Sequence, residues 1–184
     1  MNAIPTVYKS IRFRSRLEAT WAAFFDGCQW PWSYEPIDLD WYVPDFILRF
    51  PHAPVLVEVK PALVLGDLVP HTEKIERSGW AREALLVGVG ALPSANAYHE
   101  GFPVIGLLAE CFVDDTLPTL WNWEAGLFYR CGICESLSLF HDVQSFACRV
   151  TGCHEGGGGQ QPARPPFNFT TLWGRAQNAT QYRP

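Results

Sequence analysis

Residues 55–60, VLVEVK, constrain this chain more than any other stretch. β-Branched residues recur at every second position, so Val55, Val57 and Val59 share one face of a strand while Leu56, Glu58 and Lys60 share the other. So much valine predicts a central strand, and a carboxylate and an amine on an interior strand are costly unless something pairs them. The preceding apolar run, residues 42–50, carries Pro44-Asp45 near its start. Residues 51–54 are short enough for a hairpin that brings Asp45 beside Glu58. A divalent cation and a phosphate would together pair the two carboxylates and the lysine.

The flanking segments predict an α/β arrangement. Residues 6–13 read as extended. Ser15 has the character of an N-cap, and Leu17, Trp21, Phe24 and Phe25 fall at helical spacing over 16–26, with Gly27 as the stop. Residues 30–34 are extended, and 38–41 form a turn into the Asp45 strand. Beyond Pro61, residues 71–83 read as a helix with Ile75 and Trp80 or Ala81 inward, and 84–89, ALLVGV, as a second buried strand. Strand, helix and returning apolar strand make a βαβ unit, whose strands should run parallel. Residues 102–108 supply one more strand, and 169–180 a small amphipathic helix with Leu172, Trp173 and Ala176 on one face.

The ordered set Arg14-Ser15-Arg16-Leu17-Glu18-Ala19, Tyr34-Glu35-Pro36, Pro44-Asp45 and Glu58-Val59-Lys60 resembles the PD-(D/E)XK nucleases, the restriction-endonuclease-like superfamily. Within it, the chain is similar to the variant found in transposon end-cleaving nucleases and many phage-encoded relatives, over roughly residues 8–90. The resemblance implies a mixed sheet flanked by helices and a metal-dependent DNA endonuclease at work in a phage, mobile-element or defence assembly. It also implies Mg²⁺ or Mn²⁺ held by Asp45, Glu58 and the Val59 carbonyl, with Lys60 against the attacking water. Mg²⁺ on hard carboxylate oxygens suits phosphodiester hydrolysis, since it neutralises the phosphate and activates water. Glu18 has two readings: a further acidic residue reaching the metal, as its counterpart in the resembled family does, or the Glu of a Ser15-x-x-Glu18 capping box. Glu35 is either a site member or a turn residue before Pro36.

The C-terminal third has a different character. Cys131-x2-Cys134 and Cys148-x4-Cys153 are separated by thirteen residues, a spacing that predicts a structural Zn²⁺ site in a small ribbon, with His154 as an alternative to Cys153. Cys28 and Cys111 read as core residues. The expected division is a nuclease-like domain over 1–120, a zinc ribbon over 121–158, and a flexible linker and tail over 159–184 with a short helix, the glycines Gly156 to Gly159 forming the link between the last two.

The net charge of −5 is unevenly spread: +4 over residues 1–16, −11 over 17–129 and +2 over 130–184. Both ends can therefore meet phosphates while the middle holds metal ligands. Arg12, Arg14, Arg16 and Lys74 are the candidate nucleic-acid contacts, with Trp121 and Trp123 as candidate stacking residues. The overall deficit suggests a protein partner or homodimer that helps to hold the substrate. With 48% hydrophobic residues and eight tryptophans, 184 residues can build a sizeable core. No apolar run is long enough for a membrane span and the first residues lack an apolar signal core, so a soluble cytoplasmic protein is expected. Two competing readings stay open: a catalytically silent nuclease fold that binds nucleic acid or protein through the zinc ribbon, and a nuclease directed at RNA.

Overall fold

A computed structural model of the protein describes residues 3–39, 41–51, 53–96, 99–114, 117–141, 148–153, 163–165 and 168–181. The architecture is α/β. A hairpin of β1 (Thr6–Tyr8) and β2 (Ile11–Phe13) leads into helix α1 (Arg16–Gly27), followed by β3 (Trp32–Tyr34), β4 (Phe46–Arg49) and β5 (Pro54–Val59). Two 3₁₀ turns and α2 (Thr72–Glu76) connect β5 to β6 (Ala84–Leu92). Then come β7 (Val104–Asp114), β8 (Leu117–Cys131), β9 (Leu137–His141), β10 (Ala163–Arg164) and helix α3 (Phe169–Ala179).

Among the described residues, β3 to β10 form one mixed sheet in the order β10-β8-β7-β6-β5-β4-β3, with β9 also paired to β8. The β4–β5 pair is antiparallel with Phe46 opposite Val57, and β5 runs parallel to β6 with Glu58 opposite Leu86. The hairpin and the parallel βαβ unit expected from the local pattern are both present. The two faces of β5 also divide as its alternation requires. Val55, Val57 and Val59 join the large core with α1, whereas Leu56 joins a second cluster with Tyr42, Leu68, Ile75 and Leu86.

Helix α1 starts where Ser15, in extended conformation, accepts the Glu18 N–H on its hydroxyl. Its residues Ala19, Trp21, Ala22, Phe24 and Phe25 are buried against the valine face of the sheet. Trp21 donates its indole N–H to the Gly88 carbonyl at 2.9 Å, locking α1 to β6. A Cβ on Gly88 would stand 2.7 Å from the Ala62 carbonyl oxygen, so only glycine allows β6 to pass there.

Two expectations are corrected. The helix predicted over 71–83 is the short α2, because Ser78 turns its hydroxyl onto the Ile75 carbonyl at 2.6 Å and Gly79 takes a φ of +77°. Ile75 is fully buried as expected. The boundary expected between residues 120 and 121 falls inside β8, which pairs with β7 on one side and with β9 and β10 near its C-terminal end. The helix expected over 169–180 is α3, whose Phe169, Leu172 and Ala176 are buried in the main core beside α1. The amphipathic face foreseen there is real, and it packs against α1 in the first half of the chain. The glycine run 156–159 lies outside the described residues. No helix among the described residues is long and apolar enough to cross a membrane.

Candidate functional site: a buried carboxylate pair and a four-cysteine cluster

Asp45 precedes β4 and Glu58 lies on β5, on the face opposite the valines. Both are buried, at 3% and 4% exposure. One Asp45 oxygen accepts the Val59 N–H at 2.7 Å, and the other faces the Arg14 guanidinium at 2.5 Å. Glu58 accepts the Tyr42 hydroxyl at 2.7 Å and the Lys60 ammonium at 2.5 Å. Lys74, on α2, lies 3.7 Å from the same Glu58 oxygen and 4.2 Å above the Tyr42 ring. The strand alternation thus delivers Glu58 and Lys60 side by side, and the hairpin brings Asp45 to them.

Arg14 ties a second group of acids to this pair. Besides Asp45, its guanidinium lies 2.9 Å from Glu35 and 3.9 Å from Glu18. Glu18 accepts the Ser15 hydroxyl at 2.8 Å, the Tyr34 hydroxyl at 2.7 Å and the backbone N–H of Arg14, not of Ser15, at 3.2 Å. The N-cap half of the capping box is therefore formed, and its reciprocal half is replaced by contacts to Arg14 and Tyr34. Arg14, expected at a phosphate, instead lies across three carboxylates. Glu35 belongs to the site through it. Arg12 and Arg16 are exposed on either side.

The electrostatics match this crowding. Burial and the charge of Glu58 push the Asp45 carboxyl from its ordinary 3.8 up to about 7, against the Val59 N–H and the Lys60 charge that pull it down. Arg14 also favours the ionised form, but its side chain is 57% exposed and water screens it. Burial, the bonded carboxylate of Glu58 and that residue's charge hold Tyr42 well above the usual phenol range. Burial and the positive charges of Lys60 and Lys74 lower His71, although Glu58 works the other way. Tyr42, Tyr34 and His71 were not among the candidates read from sequence. Tyr34 lies within the quoted Tyr34-Glu35-Pro36 set, whereas Tyr42 and His71 carry no local signal.

The second site is the cysteine cluster. The Sγ atoms of Cys131, Cys134, Cys148 and Cys153 all lie within 4.8 Å of one another, the one such set of three or more metal-ligating side chains among the described residues. Two of the separations are 3.5 Å, Cys131 to Cys153, and 3.9 Å, Cys134 to Cys148. A tetrahedron of thiolates about 2.3 Å from a zinc ion has edges of about 3.8 Å. None of the four cysteines is in a disulfide. The N–H groups of Ile133 and Cys134 point at Cys131 Sγ, at 3.4 and 3.5 Å, and the Thr151 hydroxyl donates to Cys134 and Cys153 at 3.2 and 3.1 Å. Such donors favour thiolates over thiols. Although burial opposes it, hydrogen bonds from Ser136 and Thr151 draw the Cys134 thiol down to about 6. The four cysteines can hold a metal ion, and the arrangement is compatible with structural zinc. His154 lies outside the described residues.

Trp121 and Trp123 stack on each other with ring centres 5.8 Å apart, and the Trp123 indole donates to Glu76 at 2.8 Å. They pack at the margin of the cluster around Leu56 and Ile75, on the sheet face that also bears Glu58. Cys28 is buried in the main core, as expected, and Cys111 is half-buried. Comparison with family models, with curated proteins and with solved structures finds no match for this chain.

Proposed function

We propose that the chain is a metal-dependent nuclease that hydrolyses phosphodiester bonds in DNA, built on a restriction-endonuclease-like core with a zinc-bound C-terminal module. The observation that carries this reading is the buried pair Asp45 and Glu58, from adjoining strands, with Lys60 against Glu58. A surface ion pair gives no reason to bury two carboxylates so that burial, and then the charge of Glu58, pushes Asp45 to about 7. Further support is the order of elements around the pair: helix, three antiparallel strands, helix, parallel strand.

The donor set suits a hard divalent cation, because Asp45, just before β4, and Glu58, on β5, are buried carboxylates whose charges act on each other. Asp45 and Glu58, with the Val59 carbonyl, would hold Mg²⁺ or Mn²⁺, and Glu18, whose charge also acts on Asp45, is a further acid. Bound there, the cation supplies positive charge to the scissile phosphate and acidity to a water. Tyr42 fixes the Glu58 carboxylate through its hydroxyl. Lys60 positions the attacking water and offsets charge that develops on the phosphate. Arg14 and Lys74, both more than half exposed, can turn from carboxylates to the nucleic-acid backbone. One chain offers one centre, so a double-strand break needs a homodimer or a partner.

A specific observation favours one competing reading. Asp45 is engaged by Arg14 and Glu58 by Lys60, as in a structural ion-pair network under a silent, nucleic-acid-binding fold. Incubation of the zinc-loaded chain with supercoiled plasmid and Mg²⁺ or Mn²⁺ decides between them. Nicking or linearisation that is lost in both Asp45→Ala and Lys60→Ala is the expected result. A folded wild type that cuts neither DNA nor RNA refutes the nuclease reading, and cleavage of RNA alone corrects the substrate.

A further inference from the structure

Trp41 is 99% exposed, more than any other large apolar side chain among the described residues. Its backbone is in the left-handed region, at a φ of +68°, where a bulky side chain crowds its own peptide groups. Glycine or asparagine would make the same turn without either penalty. A side chain held against both is a candidate functional device. Its mount is rigid. Leu39 and Tyr42 exchange two backbone hydrogen bonds of 2.8 Å around the turn, and both pack on the cluster that contains Leu56 and Ile75.

The location gives the device a ligand. Trp41 is bonded directly to Tyr42, whose hydroxyl lies 2.7 Å from Glu58. Adjacent Cα atoms are about 3.8 Å apart, so the Trp41 backbone stands within about one tyrosine side chain of the carboxylate pair, a span that a few nucleotides of a bound strand cover. Val43 beside it is also exposed, the connection after Lys60 packs Ala62, Leu65 and Leu68 on the same cluster as Leu39 and Tyr42, and Lys74 lies 4.2 Å above the Tyr42 ring. An exposed aromatic ring beside cations is the combination that binds single strands, with bases on rings and phosphates on charges.

We propose that Trp41 is a stacking platform for a nucleobase next to the phosphate held at Asp45, Glu58 and Lys60. In a continuous duplex both faces of each base are covered by its neighbours. The indole can therefore stack only on an unpaired base, and the substrate class is nucleic acid with a single-stranded stretch, fork or flap at the cleavage point. This inference rests on the nuclease reading.

The test measures binding of fluorescein-labelled forked DNA and of a fully paired duplex of equal length by anisotropy, in an Asp45→Asn background that leaves DNA uncut. Trp41→Ala should weaken fork binding about five- to hundredfold, the range that stacking one base on an aromatic ring is worth. Duplex binding should change less than twofold, and Trp41→Phe should keep part of the fork affinity. Because the side chain is fully exposed, the variants should fold, and Trp41→Gly relieves the backbone penalty as a control. Unchanged fork affinity, or an equal loss on fork and duplex, overturns the inference. Cleavage by chains that keep Asp45 separates the two readings. If forks are cut equally well with and without Trp41, stacking falls and the nuclease stands; if nothing is bound or cut, both fall. A dimer that becomes a monomer in Trp41→Ala, with fork binding intact, would place Trp41 in a protein interface and also overturn the inference.

Discussion

Replacing Asp45 by Asn should stabilise the metal-free protein while it abolishes cleavage. The carboxyl is 3% exposed and is raised from 3.8 to about 7 by burial and by Glu58. Between those two values the folded state keeps a proton that the unfolded chain has released. Wild-type stability therefore falls as pH rises through that window and is lowest above it. A rise from 3.8 to about 7 corresponds to about 4 kcal/mol at about 1.4 kcal/mol per pH unit. Asparagine keeps the shape and an acceptor for the Val59 N–H but forgoes the ion pair with half-exposed Arg14, worth about 1 kcal/mol. The net gain at pH 8 is about 3 kcal/mol, or about 6–12 °C in melting temperature for a chain of this size. At pH 4 the gain should nearly vanish.

The assay is thermal unfolding of zinc-loaded, magnesium-free wild type and Asp45→Asn from pH 4 to pH 8, repeated with added Mg²⁺. Added Mg²⁺ should raise the wild-type midpoint at pH 8 and leave the variant unmoved. A variant that melts below the wild type at pH 8 without Mg²⁺ would refute the reasoning. It would mean that the Arg14–Asp45 pair is a net stabilising structural contact.

Two further predictions concern the C-terminal half. Cys134→Ser removes a thiolate that receives the Thr151 hydroxyl, so metal content measured by atomic emission should fall from one zinc per chain to well below it. Arg149 joins Glu83 through two 2.8 Å contacts and also reaches the Leu139 carbonyl at 2.7 Å, bracing the cysteine module against the start of β6. Arg149→Ala leaves the Glu83 charge half-buried without this partner and should cost about 3 kcal/mol in urea unfolding. A double-mutant cycle with Glu83→Gln should recover most of that loss as coupling.

The local sequence already determined several features. Period-two valine set which side of β5 meets α1 and which side presents Glu58 and Lys60. Helical spacing and the Ser15 cap marked α1, and the cysteine spacing foretold a cluster whose sulfurs do converge. These are short-range properties, since side-chain direction follows from backbone period and a knuckle closes within four residues. The helix over 71–83 was misread because its apolar spacing continues past Ser78 and Gly79, which end it.

Only the tertiary structure decided what neutralises the carboxylates and where the chain's last helix goes. Arg14 meets Asp45 across 31 residues, and Tyr42 meets Glu58 across 16. The Thr20 and Thr180 hydroxyls lie 2.9 Å apart where α3 closes over α1. Each contact depends on how distant segments cross, and no periodicity within either segment encodes that. A period tells a residue which face it occupies; the approach of another element decides what it will touch there.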